Sequence, residues 1–179
     1  MNGGAGSADS GPAPIVLTAT MGREDFAWAD RLRRTHFPPE RNHIPAHITL
    51  FHHLPPSVCG ELSRLVARIA GERPPPPARL TEVMTLGRGV AYRIESPALL
   101  AVRDEIADAL APMLTAQDQG RPRLHITVQN KVVSAVAKAL HAELAAGFTP
   151  RPFVIHGLAL WWYRGGPWEM IAEKPFRGR

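Results

Sequence analysis

The sequence predicts an internally duplicated fold of strands and helices, β-α-β-α-β in each half, with the halves at about residues 14–88 and 89–173. Three observations carry that expectation. The tetrapeptide His47-Ile48-Thr49-Leu50 returns almost unchanged as His125-Ile126-Thr127-Val128. Similar strand-like and helix-like stretches flank each copy in the same order. Finally, 45% of the 179 residues are apolar, which is enough for one domain with a sizeable core, expected over 14–179, or for two small lobes that share a cleft.

The elements follow in order. Ile15 to Thr20 reads as a strand and about Arg23 to His36 as a helix. In the first motif the alternation of a strand puts His47 and Thr49 on one face and Ile48 and Leu50 on the other, toward a core. A helix starts near Ser57, where Val58, Leu62, Leu65 and Ile69 recur at three- and four-residue spacing, and Cys59 is a packing residue near its start. Pro74 to Pro77 ends that helix as a stiff connector, and Arg79 to Leu86 closes the first half as a strand. The second half repeats the series. Val90 to Glu95 is a strand, and Ser96-Pro97 opens a helix carrying Leu99, Val102, Ile106, Leu110 and Met113. The second motif then places His125 and Thr127 opposite Ile126 and Val128, a helix starts at Ser134, and Phe153 to Tyr163 closes the half. Ser57 and Ser134 are both expected to cap their helices.

Composition narrows the function classes. No stretch approaches the roughly 20 apolar residues needed to span a bilayer, and residues 1–13 read as a disordered Gly, Ala, Ser and Pro tail without the pattern of a signal peptide. The single cysteine cannot form an internal disulfide, so a cytoplasmic location is expected. Lys and Arg outnumber Asp and Glu by 21 to 16, giving a net charge of +5 and a pI near 10.1. Such a surface favours anionic ligands and salt-sensitive binding.

One imidazole and one hydroxyl on each of two equivalent strands are the parts for paired proton transfer beside an oxyanion. The two complete motifs, together with Pro45-Ala46 before the first, Phe51-His52-His53-Leu54-Pro55 after it, and Trp162-Tyr163-Arg164-Gly165-Gly166-Pro167-Trp168-Glu169 near the C-terminus, resemble the two-histidine phosphoesterases. Within that family the resemblance is to the branch of RNA 2′,3′-cyclic phosphodiesterases and 2′-5′ RNA ligases. It implies an α+β fold of two pseudo-symmetric lobes, each a small, mainly antiparallel sheet backed by helices, facing across a positively charged groove. It also implies a substrate of RNA or nucleotide carrying a cyclic phosphate or a 2′-5′ linkage, with ligation as the reverse reaction. Opening a cyclic phosphate needs a base for water and an acid for the departing ribose oxygen. His47 and His125 supply both, and the residues do not say which is which. Thr49 and Thr127 would donate hydrogen bonds to the non-bridging oxygens. No metal or other cofactor is required.

Alternation also puts Phe51 and Gln129 on the faces of the catalytic pairs, Phe51 to stack on a base or ribose and Gln129 for a polar contact. Arg123 shares the face of His125, with Arg121 and Lys131 nearby as further phosphate contacts, and Tyr163 is the aromatic assigned to the ligand by resemblance. The loops Phe37 to Ala46 and Thr115 to Pro122 are expected to border the groove. Two other readings exist. His36, His43, His47, His52 and His53 could hold zinc for hydrolysis, although no carboxylate or His-Glu-x-x-His helix accompanies them. The fold could also serve as an RNA-binding or interaction module with little turnover.

Overall fold

A computed structural model describes residues 12–179. The expected tail therefore lies outside the described residues except for its last two, of which Ala13 is buried. The chain runs β1 (Ile15–Met21), α1 (Arg23–His36), β2 (Ile48–Leu54), α2 (Cys59–Glu72), β3 (Pro77–Thr85), β4 (Val90–Glu95), α3 (Pro97–Ala109), α4 (Ala116–Gln119), β5 (His125–Gln129), α5 (Ser134–Ala146), β6 (Arg151–Trp162) and β7 (Glu169–Pro175). The fold is α+β, and among the described residues seven strands form one open sheet whose pairings are all antiparallel.

The strand order is β2-β1-β6-β3-β4-β5, with β7 beside β6. The two halves exchange their closing strands. β3, from the first half, pairs with β4 of the second, while β6, from the second half, pairs over Ile155–Trp162 with β1 of the first. The start of β6, Arg151–Val154, pairs with β3 and joins the two groups of strands. Hydrophobic periodicity specifies which face of a strand is buried but not which neighbour it pairs with, so this exchange corrects the expectation that each half closes on itself. Buried residues from both halves form one continuous core, from Ile15 and Leu62 to Ile106 and Ile126.

Several boundaries differ from the sequence reading for local reasons. Pro112 cannot continue a helix, so α3 ends at Ala109 and a separate 3-10 turn covers Ala111–Met113. Ser96 caps α3 as its position suggests, accepting from the Leu99 N–H at 3.2 Å. Ser57 and Ser134 cap nothing. Ser57 lies in a 3-10 turn, Pro56–Val58, that leads into α2, and Ser134 is already the first helical residue of α5, preceded by Val133. The β3-β4 hairpin turns at Gly87, whose φ of 78° favours glycine. Gly89 then passes so close to β5 that a Cβ would stand 2.1 Å from the Gln129 carbonyl oxygen, which fixes the start of β4 against the end of β5. Neither α4 nor β7 announces itself in the sequence. α4 is one turn, and β7 exposes residues on both faces at the outer side of β6, so it lacks an apolar alternation.

β2 and β5, the two motif strands, are the ends of the strand path. The sheet curves until these ends come together, and each is covered by side chains from the opposite half.

Candidate active site

The two histidines stand in matching surroundings. His47 immediately precedes β2 and His125 begins β5. Each ring is bonded through Nδ1 to the backbone carbonyl two residues upstream, His47 to Pro45 at 2.8 Å and His125 to Arg123 at 2.7 Å. A carbonyl only accepts, so Nδ1 must carry the proton in both rings. Nε2 is then the nitrogen left on each imidazole for proton exchange with a ligand. Ala46, in turn, is held by its N–H donating to Asp30 Oδ1 of α1 at 3.0 Å.

Thr49 and Thr127 are partly exposed, as are the histidines, while Ile48, Leu50, Ile126 and Val128 are buried. The alternation is therefore as expected through the threonines, and then it breaks. Thr18 pairs with Thr49 but Leu17 pairs with Phe51, so Leu50 is an extra residue in β2. In the same way Ala91 pairs with Thr127 and Val90 with Gln129, leaving Val128 extra in β5. A bulge of one residue turns the next side chain to the opposite face. Phe51 is fully buried with Arg103 over its ring at 4.5 Å, and Gln129 is 4% exposed with no partner for its Oε1 among the described residues. The expected stacking role of Phe51 and ligand contact of Gln129 are corrected accordingly.

Buried charges close both motif strands. Arg33 of α1 donates through Nη1 to the Thr127 carbonyl at 2.9 Å and through Nε to Asn42 Oδ1 and the Ile44 carbonyl at 2.8 and 3.0 Å. Its guanidinium also lies 4.2 Å over the Phe37 ring. Burial lowers its pKa to about 10, with Asp30 opposing, so it is charged at neutral pH. On the other strand, Asp118 of α4 accepts from the backbone N–H of His52 at 2.9 and 3.1 Å and of His53 at 2.8 Å, and it meets His52 Nδ1 at 3.2 Å. Its desolvation is outweighed by these bonds, and its pKa falls below the usual carboxylate range. Arg103 of α3 holds the Asp118 carbonyl. Each half thus places a buried arginine against the motif strand of the other.

These charges act on His47. Its pKa is lowered to about 4, chiefly because protein packed around the half-buried ring displaces water, and further by the Arg33 guanidinium and the neighbouring His125 and His52 imidazoles, against the opposing bond to Pro45. His47 is neutral at pH 7, with a free lone pair on Nε2.

Arg123 is exposed beside His125, with no ion pair or hydrogen bond from its guanidinium among the described residues. Arg121 is paired with Asp104 at 2.7 Å, and Lys131 sits in a left-handed turn at φ 63°. Tyr163 is 45% exposed at the end of β6 and does not line the cavity beside His47. Trp161 and Trp168 line it instead, with the Trp168 ring 4.7 Å from that of His47. Among the described residues no three His, Cys, Asp or Glu side chains are grouped to hold a metal ion, and His52, part of the suggested zinc cluster, is turned toward Asp118.

Arg33, Arg103, Asp118 and Trp168 were not singled out in the sequence. Arg33 looks like one more surface cation beside Arg31 and Arg34, yet it shares a helical face with Asp25 and Ala29, and all three are buried. That spacing was the available signal. Asp118 has none, because its role depends on a strand from the other half.

A family model described as the 2′-5′ RNA ligase superfamily matches residues 22–167. No protein of curated function matches the sequence significantly. Among solved structures, LigT of E. coli in complex with 3′-AMP superimposes with a TM-score of 0.63 at 17% identity, over 93% of this chain and 99% of that one. TT0787 of Thermus thermophilus gives 0.62 at 17% identity with the same coverage. A protein described as a phosphoesterase gives 0.57 at 19% identity, again over 93% and 99% of the two chains.

Proposed function

Because the chain belongs to the 2′-5′ RNA ligase superfamily of two-histidine phosphoesterases, we propose that it is a metal-independent phosphodiesterase acting on 2′,3′-cyclic phosphate ends of RNA or related nucleotides. The observation that carries this reading is the matched pair of imidazoles, each with its Nδ1 proton donated to the backbone and its Nε2 left for substrate.

His47, neutral because of its lowered pKa, is the base. Its Nε2 takes a proton from water as the water oxygen bonds to phosphorus. The bond from phosphorus to one ribose oxygen breaks on the opposite side, and Nε2–H of His125 protonates that oxygen. One water is consumed, one phosphomonoester forms, and the proton on His47 returns to His125 through solvent. Thr49 and Thr127 donate to the non-bridging oxygens as charge grows on them. With a ribose 5′-hydroxyl in place of water, the same steps in the same direction join a cyclic phosphate end in a 2′-5′ linkage, and their reversal cleaves such a linkage. An E. coli relative solved with 3′-AMP, a product of this kind of opening, supports a nucleotide ligand. The basic surface supports RNA as partner, and the single free cysteine supports a cytoplasmic location.

The test is incubation with 2′,3′-cyclic nucleotides and 2′-5′-linked dinucleotides, with and without EDTA, separating products by phosphate position. Turnover in EDTA is expected, with His47→Ala and His125→Ala each slowing it by at least about 10²-fold. Activity abolished by EDTA and restored by zinc would replace this reading with metal hydrolysis.

A further inference from the structure

A cavity of about 340 Å³ adjoins His47 but includes none of Thr49, His125 or Thr127, so it extends away from the gap between the two imidazoles. Its walls are aromatic and apolar. The Trp168 ring packs on His47 and lies 6.2 Å from that of Trp161, Pro45 and Met21 contribute further apolar surface, and Phe26 stands at 38% exposure on α1. We propose that this cavity seats a purine base, that of the nucleotide whose phosphate lies between His47 and His125. The inference rests on the phosphodiesterase reading and adds what it leaves open, namely which part of the substrate is recognised.

Four features point to a flat heterocycle. His47 is shared between the reaction centre and the cavity wall, so the cavity adjoins a phosphate held at its Nε2. The Trp161 indole is fixed, because its Nε1–H donates to Thr18 Oγ1 at 2.9 Å; a preset ring face loses little freedom when a base stacks on it. The volume lies at the lower end for small-molecule sites, which admits a two-ring base and excludes a folded peptide. Besides the exposed Arg23 and His43 and the Thr18 hydroxyl already bonded to Trp161, two polar groups of the lining suit a base edge. Thr20, whose Oγ1 is buried without a partner among the described residues, lines the cavity, as does the exposed Glu173. A purine ring nitrogen can accept from the hydroxyl, satisfying a buried group with no partner among the described residues, and an exocyclic amine can donate to the carboxylate.

The experiment follows the tryptophan fluorescence of the full chain during titration with adenosine and guanosine 3′-monophosphates and with ribose phosphate, alongside KM for purine 2′,3′-cyclic nucleotides and for a methyl riboside 2′,3′-cyclic phosphate that lacks a base. Purine nucleotides should quench the indoles and bind at least about tenfold more tightly than ribose phosphate, the scale of one stacked base. Phe26→Ala, at an exposed position, and Thr20→Val, which keeps the side-chain shape, should remove most of that advantage. Equal Kd and equal KM with and without the base would overturn the inference, even with full turnover. Quenching and purine-selective binding without turnover of any cyclic phosphate would support the base site and overturn the phosphodiesterase reading instead.

Discussion

Arg33 shows how one buried side chain joins packing to chemistry. Its three hydrogen bonds tie α1 and the segment before His47 to the carbonyl of Thr127, and its charge helps hold His47 neutral. Replacing Arg33 with Ala leaves three half-buried acceptors without their donor, at about 1–3 kcal/mol for a fully buried group and less where water reaches, so a loss of about 2 kcal/mol or more in denaturant unfolding is expected. In Arg33→Lys the charge stays while the planar fork is lost, and the pH profile should shift less than the stability. Arg33→Met, if folded, should raise the apparent pKa of His47 by removing a repelling charge. An unmoved profile in Arg33→Met would show that the arginine acts through packing alone.

The motif strands mark the limit of what alternation can reveal. Period-two reading placed His47, Thr49, His125 and Thr127 on faces that the structure leaves partly open, because each run is regular up to the threonine. It failed at Phe51 and Gln129 because each strand carries one extra residue just beyond the threonine, Leu50 or Val128, and neither residue marks a bulge in the sequence. The exchange of β3 and β6 was hidden for a related reason, since pairing partners depend on the whole sheet. With Phe51 in the core, Phe51→Ala should cost about 3–5 kcal/mol of stability, and for the fraction that stays folded KM should change little. A large rise in KM without loss of stability would return Phe51 to the ligand.

Across the molecule, each half supplies the other with a closing strand and a buried arginine, Arg33 on the Thr127 carbonyl and Arg103 over the Phe51 ring, so the two histidine motifs are held by one interleaved core. Thermal unfolding is expected to be a single transition, with backbone and tryptophan signals coinciding. The net charge of +5 adds a long-range effect. Oligonucleotide affinity should fall with salt at about −0.7 in log K against log salt for each phosphate neutralised, more steeply than for a mononucleotide, and Arg123→Gln should flatten that slope by about one contact. Equal slopes would limit recognition to the terminal phosphate. All of this organisation serves the central claim that two imidazoles, one neutral and one protonated, act as base and acid. The most direct test is the pH dependence of kcat/KM for a 2′,3′-cyclic nucleotide in EDTA. The rate should rise with pH as His47, with its pKa of about 4, loses its proton, and fall at higher pH as the acid loses its own, tracing a bell whose low-pH limb disappears in His47→Ala. A profile that climbs to a plateau through pH 8, or a low-pH limb retained without His47, would contradict it.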